Sequence, residues 1–195
     1  IFDTLNARAA LWAIGHELRR RAVDVPVWIS GTITDNSGRT LSGQTPEAFW
    51  VSVSHTAPLA VGLNCALGAE QMRPHLEALA RWAPVPVSAH PNAGLPNDLG
   101  AYDQTPDEMA GLLAGFARDG LLNLVGSCCG STPEFTRAIV DRLQGLVPRV
   151  VPPAPVGTHL SGLEPLTVRP DSLLVNVGER TNVAGSRRFA RLIRE

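Results

Sequence analysis

The chain contains no lysine: all 17 basic residues among its 195 are arginine. Schiff-base chemistry and the phosphate-binding lysine of a P-loop are therefore both excluded. Aromatic residues make up only 5%. No apolar run reaches the roughly 18 residues that a membrane-spanning helix needs. An excess of one charge is lacking too, since 17 basic residues face 18 acidic ones and leave a formal net charge of −1. Such a balance carries no electrostatic footprint for nucleic acid. Cysteine is scarce, with three residues, and a small odd count does not build a disulfide framework. Two of them, Cys128 and Cys129, are sequence neighbours, a pair that bridges to itself only with strain. The opening Ile1-Phe2-Asp3 carries no basic export segment. A reducing, cytoplasmic setting is expected.

Hydrophobic residues make up 44%, enough to bury a core and to exclude disorder as the main state. The spacing predicts strands over 25–33, 59–65, 85–90 and 121–126. Helices are predicted over 46–55, 70–82 (with Pro74 in its first turns), 106–119 and 132–143. Thr105-Pro106 and Thr132-Pro133 are helix openers, with threonine as cap and proline in the first turn. The strands read as continuous apolar runs, so both of their faces, including the inward one, are expected to be apolar and covered. Strand-helix repetition indicates parallel βαβ units. Residues 1–4 resemble the end of one more strand, followed by a helix over 7–21. The class is α/β, either about half of an eight-fold barrel or one doubly wound sheet.

Beyond residue 143 the character changes. Pro148, Pro152, Pro153 and Pro155 mark an extended linker. A new strand is predicted over 172–177, then a turn over 178–180 and a basic helix running to 195. The expected divisions are a domain over 1–147, a linker over 148–162 and the opening of a second domain over 163–195. That last piece is too short to bury a core of its own.

All three cysteines fall at the C-terminal ends of predicted strands, the edge where parallel α/β folds collect ligands and catalysis. Cys65 and Cys128 stand 63 positions apart (128 − 65), too far for a zinc finger but suited to two strands converging on one mouth. Three thiolates bind Zn²⁺ and leave a fourth position open. The plainer alternative is three buried cysteines acting as small hydrophobes.

The segments GLNCALG, HPNAGLPN and GSCCGSTPE closely resemble signature segments of the homocysteine S-methyltransferase family. ISGTITDNSGRTLSGQT is similar to a loop of the family's cobalamin-dependent methionine synthases (5-methyltetrahydrofolate–homocysteine methyltransferases). The run SGLEPL and the later LLVNVGERTNVAGSRRFARLI resemble the start of their pterin-binding module. The resemblance implies the C-terminal half of a (β/α)8 TIM-type homocysteine-binding barrel, about strands 4–8. A linker and the beginning of a second (β/α)8 barrel follow.

It further implies a zinc ion held by Cys65, Cys128 and Cys129. Homocysteine is the implied substrate, with methylcobalamin as methyl donor, recharged by 5-methyltetrahydrofolate on modules absent from this chain. Zinc deprotonates a thiol, and the thiolate accepts the methyl group to give methionine. The first half of such a barrel holds the substrate's amino group, so this piece alone is expected to be inactive.

Other residues carry a functional and a plain reading side by side. Asn92 is a candidate labile fourth zinc ligand or a turn residue. Ser30, Gly31 and Thr32 are candidates to offer backbone N–H groups to the substrate carboxylate, or a plain turn. Asp35, Arg39 and Gln44 lie over the mouth or in a solvated loop. Glu179 and Asn182 are candidate pterin-facing residues. His90 reads as a structural histidine, and Trp12, Trp28, Trp50 and Trp82 as packing residues. Two alternatives stand beside the main reading. One is a homocysteine methyltransferase using betaine or S-methylmethionine. The other is a non-catalytic zinc or redox module with a Cys128–Cys129 disulfide.

Overall fold

Threonine-proline pairs start three of the helices. The Thr45 hydroxyl accepts the Ala48 N–H, with Pro46 in the first turn where its missing N–H costs nothing. Thr105 and Glu108 cap each other's backbone N–H groups reciprocally. Thr132 precedes Pro133 without a side-chain cap, its hydroxyl turning to the Glu134 carboxylate instead.

The computed structural model describes residues 1–34, 37–176, 185 and 187–194. In chain order the elements are α1 (Thr4–Arg21), β1 (Trp28–Gly31), α2 (Pro46–Val53), a 3-10 turn (Ser54–Thr56), β2 (Ala60–Gly68), α3 (Ala69–Trp82) and β3 (Val87–Asn92). Then come α4 (Pro106–Arg118), β4 (Leu124–Val125), α5 (Pro133–Leu143), β5 (Thr158–Ser161), β6 (Pro165–Val168) and α6 (Arg187–Arg194). Strands β1 to β4 form one parallel sheet in sequence order, with a helix in each crossover. This mixed α/β arrangement is consistent with part of a TIM-type domain. Ile1 adds the bonding of a further parallel neighbour: its amino group donates to Ser30 O at 2.8 Å and its carbonyl accepts the Thr32 N–H at 2.7 Å. The helix after it begins at Thr4, capped by the Asp3 carboxylate. Among the described residues no helix is long and apolar enough to cross a membrane.

The core lies between the sheet and its helices. Ile29, Val61, Leu63, Val87 and Ala89 face Phe49, Met72, Leu76, Leu79, Met109 and Leu113, all buried. The opposite face corrects the expectation of an apolar inward surface. Register puts Ser30 beside Gly62 and Ser88, and Asn64 beside His90, and alternate residues of a strand point to opposite sides. That face therefore carries Trp28, Ser30, Asn64, Ser88 and His90. The polar residues occupy every second position, where their Val, Leu and Ala neighbours dominate a run read as a whole. Trp28 reaches over β2: its indole N–H donates to Ser88 Oγ at 3.0 Å, and its ring stands 5.4 Å from that of His90. Gly62 permits this closeness, since a Cβ there would lie 2.2 Å from the Ser88 carbonyl oxygen.

The antiparallel hairpin β5–β6 was not expected from the sequence, and it straddles the boundary expected at 162/163. It docks on α2 and the loop before it. Ser161 Oγ donates to Ala48 O at 2.7 Å, and Gln44 Nε2 donates to Gly162 O at 2.8 Å and to Ser161 Oγ at 3.0 Å. Arg39 pairs with Glu164 at 2.8 Å. Arg39 and Gln44 thus fasten the hairpin instead of lying over the sheet's mouth. Residues 172–176 form no strand, contrary to the expectation, and residue 177 lies outside the described residues. The basic helix appears as α6. Trp50 is buried as expected, whereas Trp12 is 71% exposed and stacks on His16.

Candidate metal centre

Strand β2 does not end straight. Its register with β3 shifts between Asn64 and Gly68, and Cys65 and Ala66 both take left-handed backbone angles, φ 59° and 58°. For residues with a Cβ this conformation costs about 1–2 kcal/mol each. Such a break re-aims a side chain at a strand end, and here the side chain is the Cys65 thiol.

The vicinal pair follows β4, and β3 together with Ala93 just past its end holds it by three bonds. Cys128 N–H donates to Pro91 O at 2.8 Å, Ala93 N–H to Cys129 O at 2.9 Å, and Cys129 N–H to Asn92 Oδ1 at 3.1 Å. Ser131 closes the turn through its N–H and hydroxyl on Cys128 O. The result brings the three sulfurs together, all within 4.8 Å of one another. Cys65 Sγ and Cys129 Sγ are 3.5 Å apart, Cys128 Sγ and Cys129 Sγ 3.9 Å. All three are free thiols, Cys129 the most exposed.

Crowding shapes their acidity. Burial raises the Cys65 thiol, but hydrogen bonds from Cys128, Cys129 and Asn64 outweigh it and hold the group below its ordinary value. Cys128 is pushed up to about 12, by burial first and then by Cys65 and Cys129. The first thiolate therefore suppresses the next. A tetrahedron with metal–sulfur bonds of about 2.3 Å has edges of roughly 3.5–4 Å. The two measured separations lie in that range, so this soft donor set fits a zinc ion with one position to spare.

The other sequence candidates divide. Asn92 is 4% exposed and sits at the cluster, its side-chain oxygen engaged by the Cys129 N–H. Ser30 Oγ donates to Asn64 Oδ1 at 2.6 Å, on the open sheet face. The Thr32 N–H is spent on Ile1 O and is not free for a carboxylate, a correction that sheet pairing imposes. Gly31 lies under the Phe49 ring, where a Cβ would stand 2.8 Å from Cε1. His90 packs between Trp28 and Gly126, and burial lowers its pKa. Asp35, Glu179 and Asn182 lie outside the described residues.

Sequence reasoning missed two residues. Asn64 is one, joining Ser30 to Cys65. Tyr102 is the other; burial raises its phenol pKa, and Cys129, Cys65 and Cys128 raise it further. The signal for it was slender: it is the only tyrosine in the chain, in the loop that leaves the Asn92 strand.

A family model described as homocysteine S-methyltransferase matches residues 1–143.

Proposed function

The chain belongs to the homocysteine S-methyltransferase family, and on that premise we propose that Cys65, Cys128 and Cys129 hold a zinc ion at which the homocysteine thiol is methylated to give methionine. The observation that carries this is the gathering of three sulfurs, one from the irregular end part of β2 and two from the turn after β4, within 4.8 Å of one another. When bound, the ion supplies the Lewis acidity that makes a thiolate near neutral pH, where a free thiol with a pKa of about 8.5 is mostly protonated.

The chain's own residues prepare the place. The β2 break aims Cys65, and the Pro91, Asn92 and Ala93 bonds hold the vicinal pair in line with it. Asn92 acts first as the fastener of Cys129; a place for its oxygen at the fourth position belongs to the same proposal. Cys129 marks the solvent side, where substrate enters and the released thiol proton departs. Ser30 and Asn64 give the adjoining sheet face a polar lining for an amino acid's head.

For the methyl donor we propose methylcobalamin, recharged by 5-methyltetrahydrofolate on further modules. The likeness of residues 29–45 and of the segment after the hairpin to cobalamin-dependent methionine synthases supports this reading. So does the continuation of the chain past the matched residue 143. Residues 163–195 would then open a pterin-binding barrel, and Glu179 and Asn182 would face the pterin. The C-terminal half of a (β/α)8 barrel over residues 1–147 and a cytoplasmic setting belong to the same proposal. The donor is tested in an intact protein that carries this chain, with homocysteine and methylcobalamin, betaine or S-methylmethionine in separate reactions. Methionine is expected from methylcobalamin only. Methionine from betaine with none from methylcobalamin would overturn the donor assignment.

A further inference from the structure

Strand β2 carries more residues than its partner can match. Between the pairs Asn64–His90 and Gly68–Asn92 it sets Cys65, Ala66 and Leu67 against Pro91 alone. Cys65 and Ala66 take up the excess in left-handed conformation, and Leu67, buried in the core, draws the chain back. Gly68 then closes the bulge, and it closes it against backbone. A Cβ on it would stand 3.1 Å from Gly94 Cα and 3.4 Å from Gly94 C, with Gln71 Oε1 at 2.9 Å. The end of the Gln71 side chain can turn aside. The Gly94 backbone is tied down: its N–H donates to Asn92 O at 2.8 Å, and the N–H of Ala93 before it donates to Cys129 O at 2.9 Å. Gly68 itself has φ −72°, so glycine is needed there for space and not for backbone freedom.

Residues 92–94 are thus where both parts of the cysteine site are fastened. The vicinal pair hangs on them through the bonds of Cys129 to Asn92 and Ala93, and the Cys65 bulge rests on them through Gly68. We propose that Gly68 is a positioning residue of the metal site: its bare Cα lets the end of β2 close on Gly94, and that closure carries the Cys65 thiol to the vicinal pair. The inference rests on the zinc reading of the three cysteines. With so few residues between two paired positions, the bulge has no slack to absorb a displacement at its end. A side chain on Gly68 parts the two segments by a few tenths of an ångström, and a branched one by more. A binding constellation must be held to within about 0.5 Å of its working geometry.

Gly68 is also the N-cap of α3, where it makes no side-chain bond. Serine is a better cap than glycine, so Gly68→Ser favours the helix start while it wedges the contact with Gly94. The test uses the 195-residue chain with zinc(II) and cobalt(II) as probes. In Gly68→Ser the metal-free chain is expected to melt close to the unaltered one, whereas zinc affinity, measured by competition with a chelator, falls about tenfold. In Gly68→Val the loss is expected to be larger. Its thiolate-to-cobalt charge-transfer band, whose intensity follows the number of bound thiolates, should drop towards that of Cys65→Ala. Full zinc affinity in Gly68→Ser overturns the inference, and so does a full band in folded Gly68→Val. An affinity that falls only in step with a lowered melting temperature overturns it too, since Gly68 then merely holds the fold. Where Gly68→Val does not fold, Gly68→Ser decides alone. Absence of any charge-transfer band in the unaltered chain overturns the zinc reading itself.

Discussion

Replacement of Cys65 with alanine is expected to abolish tight zinc retention, lowering affinity by more than about 100-fold, beyond the loss of an outer-shell partner. Cys65 stands alone on β2, whereas Cys128 and Cys129 share one turn, so its loss leaves two sulfurs on a single short segment. Two thiolates 3.9 Å apart no longer enclose a tetrahedral ion. The fold should persist, because the Cys65 side chain is only half-buried and its neighbours in β2 keep their pairing with β3. Chelator competition on the unaltered and Cys65→Ala chains measures the effect, with circular dichroism as the control for folding. Full zinc occupancy in Cys65→Ala would contradict the assignment.

The second large effect lies at the opposite end of the strands. Arg149 follows α5 and is 5% exposed. Its guanidinium donates to Ala80 O at 2.5 Å, Ala83 O at 2.7 Å and Val85 O at 3.0 Å, tying together the C-terminal end of α3 and the turn into β3. A helix C-terminus leaves its last carbonyls without partners and carries a partial negative charge, which a buried cation satisfies. Burial lowers the Arg149 pKa from its ordinary value, but the group starts so high that it stays charged. Each charge-assisted bond contributes about 1.5–3 kcal/mol, and bare carbonyls left behind add a penalty. Arg149→Met, which preserves the bulk but not the donors, is expected to cost about 3 kcal/mol. For a chain of this size that is a fall in Tm of about 6–12 °C. Arg149→Lys should recover only part of it, since one ammonium cannot reach three carbonyls in a plane as the guanidinium does. A Tm of Arg149→Met within about 1 °C of the unaltered chain would contradict this role.

What the sequence revealed and what it hid separate along physical lines. The Thr105-Pro106 helix start was legible because capping is local, the hydroxyl, the missing N–H and the first turn lying within four residues, whereas Thr132 opens its helix without the cap expected of it. The placing of Cys128 and Cys129 after a strand was legible for a similar reason, since an apolar run followed by a glycine-flanked turn is a local pattern, whereas Cys65, expected to close its strand, lies within β2, which runs on to Gly68. The polar sheet face was not, because Trp28, Ser30, Asn64, Ser88 and His90 are scattered one or two to a strand and only register assembles them. Arg39 and Gln44 lie more than a hundred positions from their partners in the hairpin, a distance over which spacing says nothing. The left-handed backbone at Cys65 and Ala66 carries no glycine or asparagine to announce it. Tyr102 reaches the cysteine turn only because a long loop folds back and lays its ring against Gly130.

The central claim is that three cysteine sulfurs form an open metal site whose fourth position takes the substrate sulfur. X-ray absorption at the zinc edge tests it most directly, on the zinc-loaded intact protein before and after addition of homocysteine. The expected result is three sulfur neighbours at about 2.3 Å before addition and four afterwards, with loss of one oxygen or nitrogen neighbour. A sulfur count that does not rise with homocysteine would contradict the claim and leave the metal a structural one.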